Sequence, residues 1–432
     1  MSQPSPVPFE KLKLDNGLTL ILHPDRRLPI ACVNLWYHVG AKDEPAGRSG
    51  FAHLFEHLMF MGTRRAPQGE FDRIMEAGGG QNNATTSEDR TNYFASGPSN
   101  LLPTLLWLEA DRLEDLGAAM TQEKLDLQRD VVRNERRQSY ENEPYGPAEL
   151  EVNGLLYPAG HPYEIPVIGT HADLEAATVE DVREFFSTFY APNNLSLVVA
   201  GDFDRDETVR SVERLFGTLP ARAEPARRSA PPVRLSAPKS KTLTDQNAEF
   251  ARTSFVWHSP ALFADGDAEC DVLAKLLGDG IASRLQRRLM VDEMLAQHVG
   301  VWQMSMQLGS QFRIDASAAS DEVALERMEA AIDDELAKLV REGPTAEELE
   351  RVKTHAETEY VAGLQRVMER ADRLNAYDAY FGDPDGFARD LDRYRAVTAE
   401  GVRGRAEALL DPSARLTLHV LPPDEAGEEG GA

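Results

Sequence analysis

The sequence is poor in cysteine, in basic residues and in long apolar runs, and each shortage excludes something. Two cysteines in 432 residues, Cys32 and Cys270, cannot form a disulfide framework, and neither has a Cys or His at zinc-finger spacing. They read as small buried hydrophobes. Lys and Arg total 46 against 72 Asp and Glu, a net charge of −26. That excess argues against a nucleic-acid ligand, because phosphate binding needs clustered cations. No run of about 18 apolar residues occurs, so no membrane span is expected. The opening stretch, Met1 to Pro8, has neither the basic nor the apolar region of a secretory signal. The expected location is the cytoplasm.

What is present is enough apolar residue, 42% of the chain, for more than one core. Phe9–Leu14 and Leu18–Leu22 flank Asn16-Gly17, a strong hairpin signal, and Ile30–Val39 reads as a third strand. Asn82–Thr86 and Thr91–Ser96 read as paired strands. Helices are expected near Leu101–Leu113, from Thr121 to about Gln138, and from the capping box at Thr178 to Phe189. Leu195–Ala200 closes the first half as a strand, and 141–170 reads as irregular. Residues 219–239 hold Pro220, Pro225, Pro231, Pro232 and Pro238 and mark a linker. Beyond it come strands near Lys241–Leu243 and Thr253–His258, helices near Ala268–Leu277 and Ala282–Met290, strand-like alternation over Gln303–Ser317, and a long helix from the capping box at Thr345 to Arg370.

The second half repeats the first. Thr178, Glu180, Val182 and Pro192 recur as Thr398, Glu400, Val402 and Pro412, each offset by 398 − 178 = 220. The sequence therefore predicts an α+β protein of two duplicated α/β domains, each a largely antiparallel sheet covered by helices. The expected divisions are 1–218, a linker at 219–239, 240–422, and a disordered acidic tail at 423–432.

One stretch of the first half carries chemistry. Ser49 to Gly62 reads as a helix with Ser49 as N-cap and Gly62 just past its end. On a helix His53 and His57 share a face, with Cβ atoms about 5–6 Å apart, and Glu56 reaches the same side. This His-x-x-Glu-His order is the inverzincin signature. Two imidazoles need a third ligand. On the helix from Thr121, Gln128, Val131, Val132 and Glu135 share one face, and a carboxylate there is costly unless paired or metal-bound. Glu135 is thus open to two readings, a metal ligand or an ion pair with Arg136, Arg137 or another cation. Carrying the 220 offset back places Leu273, Leu276 and Leu277 opposite His53, Glu56 and His57, so the second half is expected to hold no metal.

With Asn134-Glu135 lying 135 − 57 = 78 residues beyond His57, the chain resembles the pitrilysin and mitochondrial processing peptidase family of zinc peptidases. The similarity extends to Gly80-x-x-Asn83-Ala84-x-Thr86-x-x-Asp89-x-Thr91-x-Tyr93, to His161-Pro162-Tyr163 with Ile168-Gly169, to Gly201-Asp202-Phe203 and to Ser283-Arg284-Leu285. The resemblance implies the processing-peptidase-like (LuxS-like) fold, Zn2+ held by His53, His57 and Glu135, and Glu56 as general base. Such an ion lowers the pKa of a bound water to about 7. It also implies that Asn83, Ala84 and Thr85 lie on an edge strand that pairs with extended peptide substrates. Gln128 and Asn134 would stand behind the ligands.

Two departures from the family pattern have consequences. Gln128 stands where many relatives have a second Glu, so that position supplies no charge. Met290 and Gln297 stand where active relatives carry an Arg and, seven residues later, a Tyr. The resemblance therefore implies the zinc-bearing subunit of a two-chain enzyme, a heterodimer whose homologous partner supplies the Arg/Tyr pair, with a homodimer as the other arrangement. The alternative is a non-catalytic core or assembly subunit of the same fold.

Overall fold

A computed structural model describes residues 5–423, so residues 424–432 of the expected acidic tail lie outside the described part. In the first half the strands are β1 (Glu10–Lys13), β2 (Thr19–Pro24), β3 (Ile30–Tyr37), β4 (Gln81–Thr86), β5 (Thr91–Pro98) and β6 (Leu195–Gly201). They form one sheet in the order β1-β2-β6-β3-β5-β4. Only the β2–β6 pair is parallel; all others are antiparallel. The hairpin at Asn16-Gly17 joins β1 to β2 as its sequence dictates.

Every residue of β6 is buried and β3 is nearly so, because both faces of the sheet centre are covered. The period-two alternation of β3 sorts its side chains. On one face Asn34 and Trp36 donate to Asp372 Oδ1 at 3.2 and 2.9 Å, on helix Val367–Phe381. On the other Tyr37 packs against Tyr93 and Tyr190, with ring centroids 5.6 and 4.3 Å away.

The second sheet contains β7 (Lys239–Thr244), β8 (Arg252–Ser259), β9 (Ala296–Met304), β10 (Ser310–Ala318) and β11 (Leu416–Leu421). Its order is β7-β11-β8-β10-β9, and again only the first pair, β7–β11, is parallel. This is the first sheet without β1, and it bears out the duplicated fold. Leu273, Leu276 and Leu277 are fully buried in the core of that half.

The compact units cut across the division expected at the linker. Among the described residues, one comprises 5–134, 166–228 and 359–391; the other comprises 135–165, 229–358 and 392–423. Each half of the chain lends a helix to the opposite sheet. Helix Gly146–Leu156 packs on β8 and β11, and helix Val367–Phe381 packs on β3 and β6. Their starts are 367 − 146 = 221 residues apart, so the exchange follows the duplication.

Helix Gly146–Leu156 lies in the stretch expected to be irregular. Tyr145 enters it at φ 67 and Pro147 sits in its first turn, where a proline lacks no hydrogen bond. The capping boxes at Thr178 and Thr345 form as expected. The helix opened by Thr345 stops at Gly363, and a new one starts at Val367.

Candidate metal centre and active site

The site helix runs Phe51–Leu58, shorter than its sequence suggests. Gly50, at φ 83, is its N-cap instead of Ser49. The displaced role falls to Glu44, whose carboxylate accepts Gly50 N at 3.0 Å and Ala52 N at 2.7 Å. Burial pushes the Glu44 carboxyl up to about 8, against the pull of those two donors. Ser49 is used elsewhere: its N and Oγ both donate to Asp173, and its Oγ accepts Thr170 N at 3.1 Å. A Cβ on Gly50 would stand 2.9 Å from Ile168 O, so glycine is required by space as well as by φ. At the other end the chain leaves the helix and turns at Gly62, φ 72, where a Cβ would meet Gln68 N at 2.3 Å.

Phe51, Ala52, Leu54, Phe55 and Leu58 form the buried face of this helix. Phe55 packs on Phe185, Phe186 and Tyr190, with centroids 5.2, 6.0 and 4.6 Å away. Burying a ring of this kind stabilises by about 1.5–3 kcal/mol, which pins the helix rotation. The opposite face presents His53, Glu56 and His57, all half-buried. The two imidazoles are 4.8 Å apart between centroids and nearly perpendicular, at 81°.

Glu135 comes from helix Gln122–Arg136, all but the last two residues of which lie in the same unit as the site helix. That helix is fastened where the site helix ends: Lys124 Nζ donates to Gly62 O at 2.9 Å, and Gln128 Nε2 to Met61 Sδ at 2.8 Å. Arg129 Nε donates to Leu174 O at 2.9 Å. Val132 is fully buried but Val131 is 40% exposed, so the predicted apolar face is a ridge one residue wide. Arg136, one of the cations open to Glu135 on sequence grounds, donates to Glu141 Oε1 at 2.9 Å. Asn134 is exposed.

Ligand atoms of His53, His57 and Glu135 all lie within 4.8 Å of one another, the one such group of three among the described residues. Two imidazole nitrogens and a carboxylate oxygen are the donor set of a catalytic zinc site, which takes three protein ligands at about 2.0–2.2 Å and keeps a fourth position open. The residues present fit that ion.

Glu56 Oε2 accepts the Thr86 hydroxyl at 2.5 Å. The hydroxyls of Tyr93 and Tyr190 meet at 2.9 Å. Burial raises both phenols, and the Glu56 carboxylate adds to the rise. β4 is the last strand of its sheet, so one of its edges has no strand partner among the described residues. On it Asn83 and Thr85 are exposed and Ala84 is buried. Asn83 Oδ1 accepts Ala84 N at 2.8 Å, a local backbone bond, and Thr85 Oγ1 bonds Asn92 Oδ1 at 2.5 Å.

The remaining motif residues have structural surroundings. His161 stacks on Tyr157 at 4.5 Å and accepts Tyr163 N at 3.0 Å. In the second half Met290 packs against the core and Gln297 is exposed. Arg288 is bound to Glu293 and Asp334, both at 2.7 Å, and Arg287 to Asp292 at 3.7 Å. Sequence reasoning assigned no role to Glu44, Asp173 or Thr86. Thr86 stands inside a motif the sequence displays, but its partner is 30 residues away.

Two family profiles match, "Insulinase (Peptidase family M16)" over residues 20–155 and "Peptidase M16 inactive domain" over 176–355. The first interval contains His53, Glu56, His57 and Glu135. Zinc protease PqqE of Helicobacter pylori is 29% identical over 362 residues, 82% of this chain and 80% of that one. A crystal structure of a protease from Helicobacter pylori superposes with a TM-score of 0.90 at 26% identity, covering 96% of this chain and all of the other. The periplasmic protease PqqL of Escherichia coli shares the fold, with a TM-score of 0.79 at 20% identity; 98% of this chain covers 48% of it. With the site geometry, the duplicated fold and matches to both halves, the chain belongs to peptidase family M16.

Proposed function

We propose that this chain is a zinc endopeptidase acting on unfolded peptides, with His53, His57 and Glu135 holding the ion and Glu56 as general base. The observation that carries the reading is the convergence of the three donors beside a glutamate on the same helix face. When bound, zinc supplies a water of lowered pKa and polarises a peptide carbonyl. Glu56 takes the proton of the attacking water and passes it to the departing amine nitrogen. The free edge of β4 pairs with an extended peptide; affinity then comes from backbone hydrogen bonds and tolerates varied side chains.

Glu56→Gln tests this reading, because it removes the base and leaves the ligands. Wild type should cleave a quenched peptide in a zinc-dependent manner, and the variant should lose cleavage while retaining zinc. An equally active variant would reject Glu56 as the base.

We further propose that catalysis uses a second homologous chain. Met290 and Gln297 offer no cation or phenol, and the chain matches half the length of PqqL. Mixing with a homologue that carries the Arg/Tyr pair should raise turnover and produce a two-chain species in sedimentation. Full activity of the isolated monomer would reject the idea.

A further inference from the structure

The carboxylate of Glu56 is held by a hydroxyl from the edge strand β4. Thr86 is the last residue of β4, and its Oγ1 donates to Glu56 Oε2 at 2.5 Å. Its backbone is fixed by pairing with Thr91, which is fully buried and donates its own hydroxyl to Val39 O at 2.9 Å. Thr86 is β-branched, so few χ1 settings are open to its hydroxyl.

We propose that Thr86 is a positioning residue that selects the rotamer of Glu56. A hydroxyl has one proton to give. Donated to Oε2, it favours the side-chain setting of Glu56 that keeps this bond. A glutamate has three side-chain torsions to order, and a base must sit within hydrogen-bond reach of its proton. Thr86 supplies that order through the bond to Oε2. Because Thr86 is carried by β4, any shift of that strand on pairing with a peptide is passed to the base through this bond. The inference rests on the reading of Glu56 as general base.

The test compares Thr86→Val, which keeps the shape and loses the hydroxyl, with Thr86→Ser, which keeps the hydroxyl. In zinc-loaded protein Thr86→Val should lower kcat about tenfold or more with KM within about twofold, the size expected for loss of orientation in proton transfer. Zinc content should be unchanged, and Thr86→Ser should recover most of kcat. A Thr86→Val kcat within twofold of wild type would overturn the proposal, as would a Thr86→Ser variant as impaired as Thr86→Val.

A readout independent of turnover is the double-mutant cycle of Thr86→Val with Glu56→Ala in metal-free protein. Its Tm shifts should depart from additivity by roughly 2 °C, and additive shifts would overturn the bond. A wild type whose cleavage does not depend on zinc or on Glu56 would sink the peptidase reading itself, and the proposal with it.

Discussion

A buried ion pair in the first half of the chain offers a sharp test of how that half is held together. Helix Leu102–Ala119 buries Glu109 completely and Arg112 almost so. Arg112 Nε and Nη2 donate to the two carboxylate oxygens at 2.8 and 2.6 Å. The guanidinium also lies 4.5, 5.1 and 5.3 Å from the rings of Tyr93, Phe71 and Phe60. Arg112→Met removes the cation with little change in volume and strands a carboxylate. Breaking one partner of such a pair costs about 3–5 kcal/mol, whereas replacing both by apolar groups is close to neutral. Lost cation–π contacts add about 0.5–1 kcal/mol each. Arg112→Met should therefore lose several kcal/mol, and Glu109→Leu with Arg112→Met should recover most of it.

The sign with pH follows from Glu109. Burial raises its carboxyl above the ordinary 4.5, and Arg112 pulls it back. Without Arg112 the folded-state pKa rises further. A group raised in this way contributes its stability below the unfolded value and loses it as pH increases. The Arg112→Met deficit should thus be small near pH 4 and grow toward pH 7. Urea unfolding of metal-free protein at several pH values measures this. Equal losses in the single and double variants, or a deficit that shrinks with rising pH, would refute the argument.

Other outcomes follow from single contacts. The Glu44 carboxyl, raised by burial to about 8 from an ordinary 4.5, favours the folded state below 4.5 and loses that contribution as pH rises to 8. Glu44→Gln should flatten the fall of Tm across that window, and an unchanged slope would count against it. Asp372 Oδ1 accepts Asn34, Trp36 and Asn92 side chains at 3.2, 2.9 and 3.1 Å. Asp372→Ala should cost about 2–4 kcal/mol for the orphaned donors, read in urea melts followed by tryptophan fluorescence. Phe55→Ala should cost about 3–5 kcal/mol, and the loosened site helix should also weaken zinc retention in dialysis. Chelation should abolish cleavage and lower Tm, by about 2.7 kcal/mol in stability relative to free zinc at a hundred times its Kd.

Much of this was legible in the chain because it is local or repeated. The hairpin at Gly17, the capping boxes at Thr178 and Thr345, and the offset between Thr178 and Thr398 announce the duplicated sheets. His53, Glu56 and His57 declare their shared face through helical spacing. Glu135 was ambiguous, because periodicity places it beside apolar residues without saying what it meets; only folding brings it to the histidines.

The misreadings have non-local causes. Ser49 has the right chemistry for an N-cap, but the Glu44 carboxylate takes the helix N–H groups while Asp173, 124 residues away, holds Ser49. Helix Gly146–Leu156 hides behind its own proline and a left-handed Tyr145. Its exchange against helix Val367–Phe381 leaves no local trace, because both are stabilised by sheets from the other half. The break after Gly363 was signalled by that glycine and overridden by helical periodicity.

The central claim is that His53, His57 and Glu135 form one zinc site. The most direct measurement is zinc stoichiometry by elemental analysis after dialysis, for wild type, Glu135→Ala and His57→Ala. One zinc per wild-type chain, with both variants nearly metal-free yet folded by circular dichroism, is the predicted result. A wild type that retains no zinc after supplementation, or a Glu135→Ala chain that binds zinc as tightly as wild type, would contradict the account.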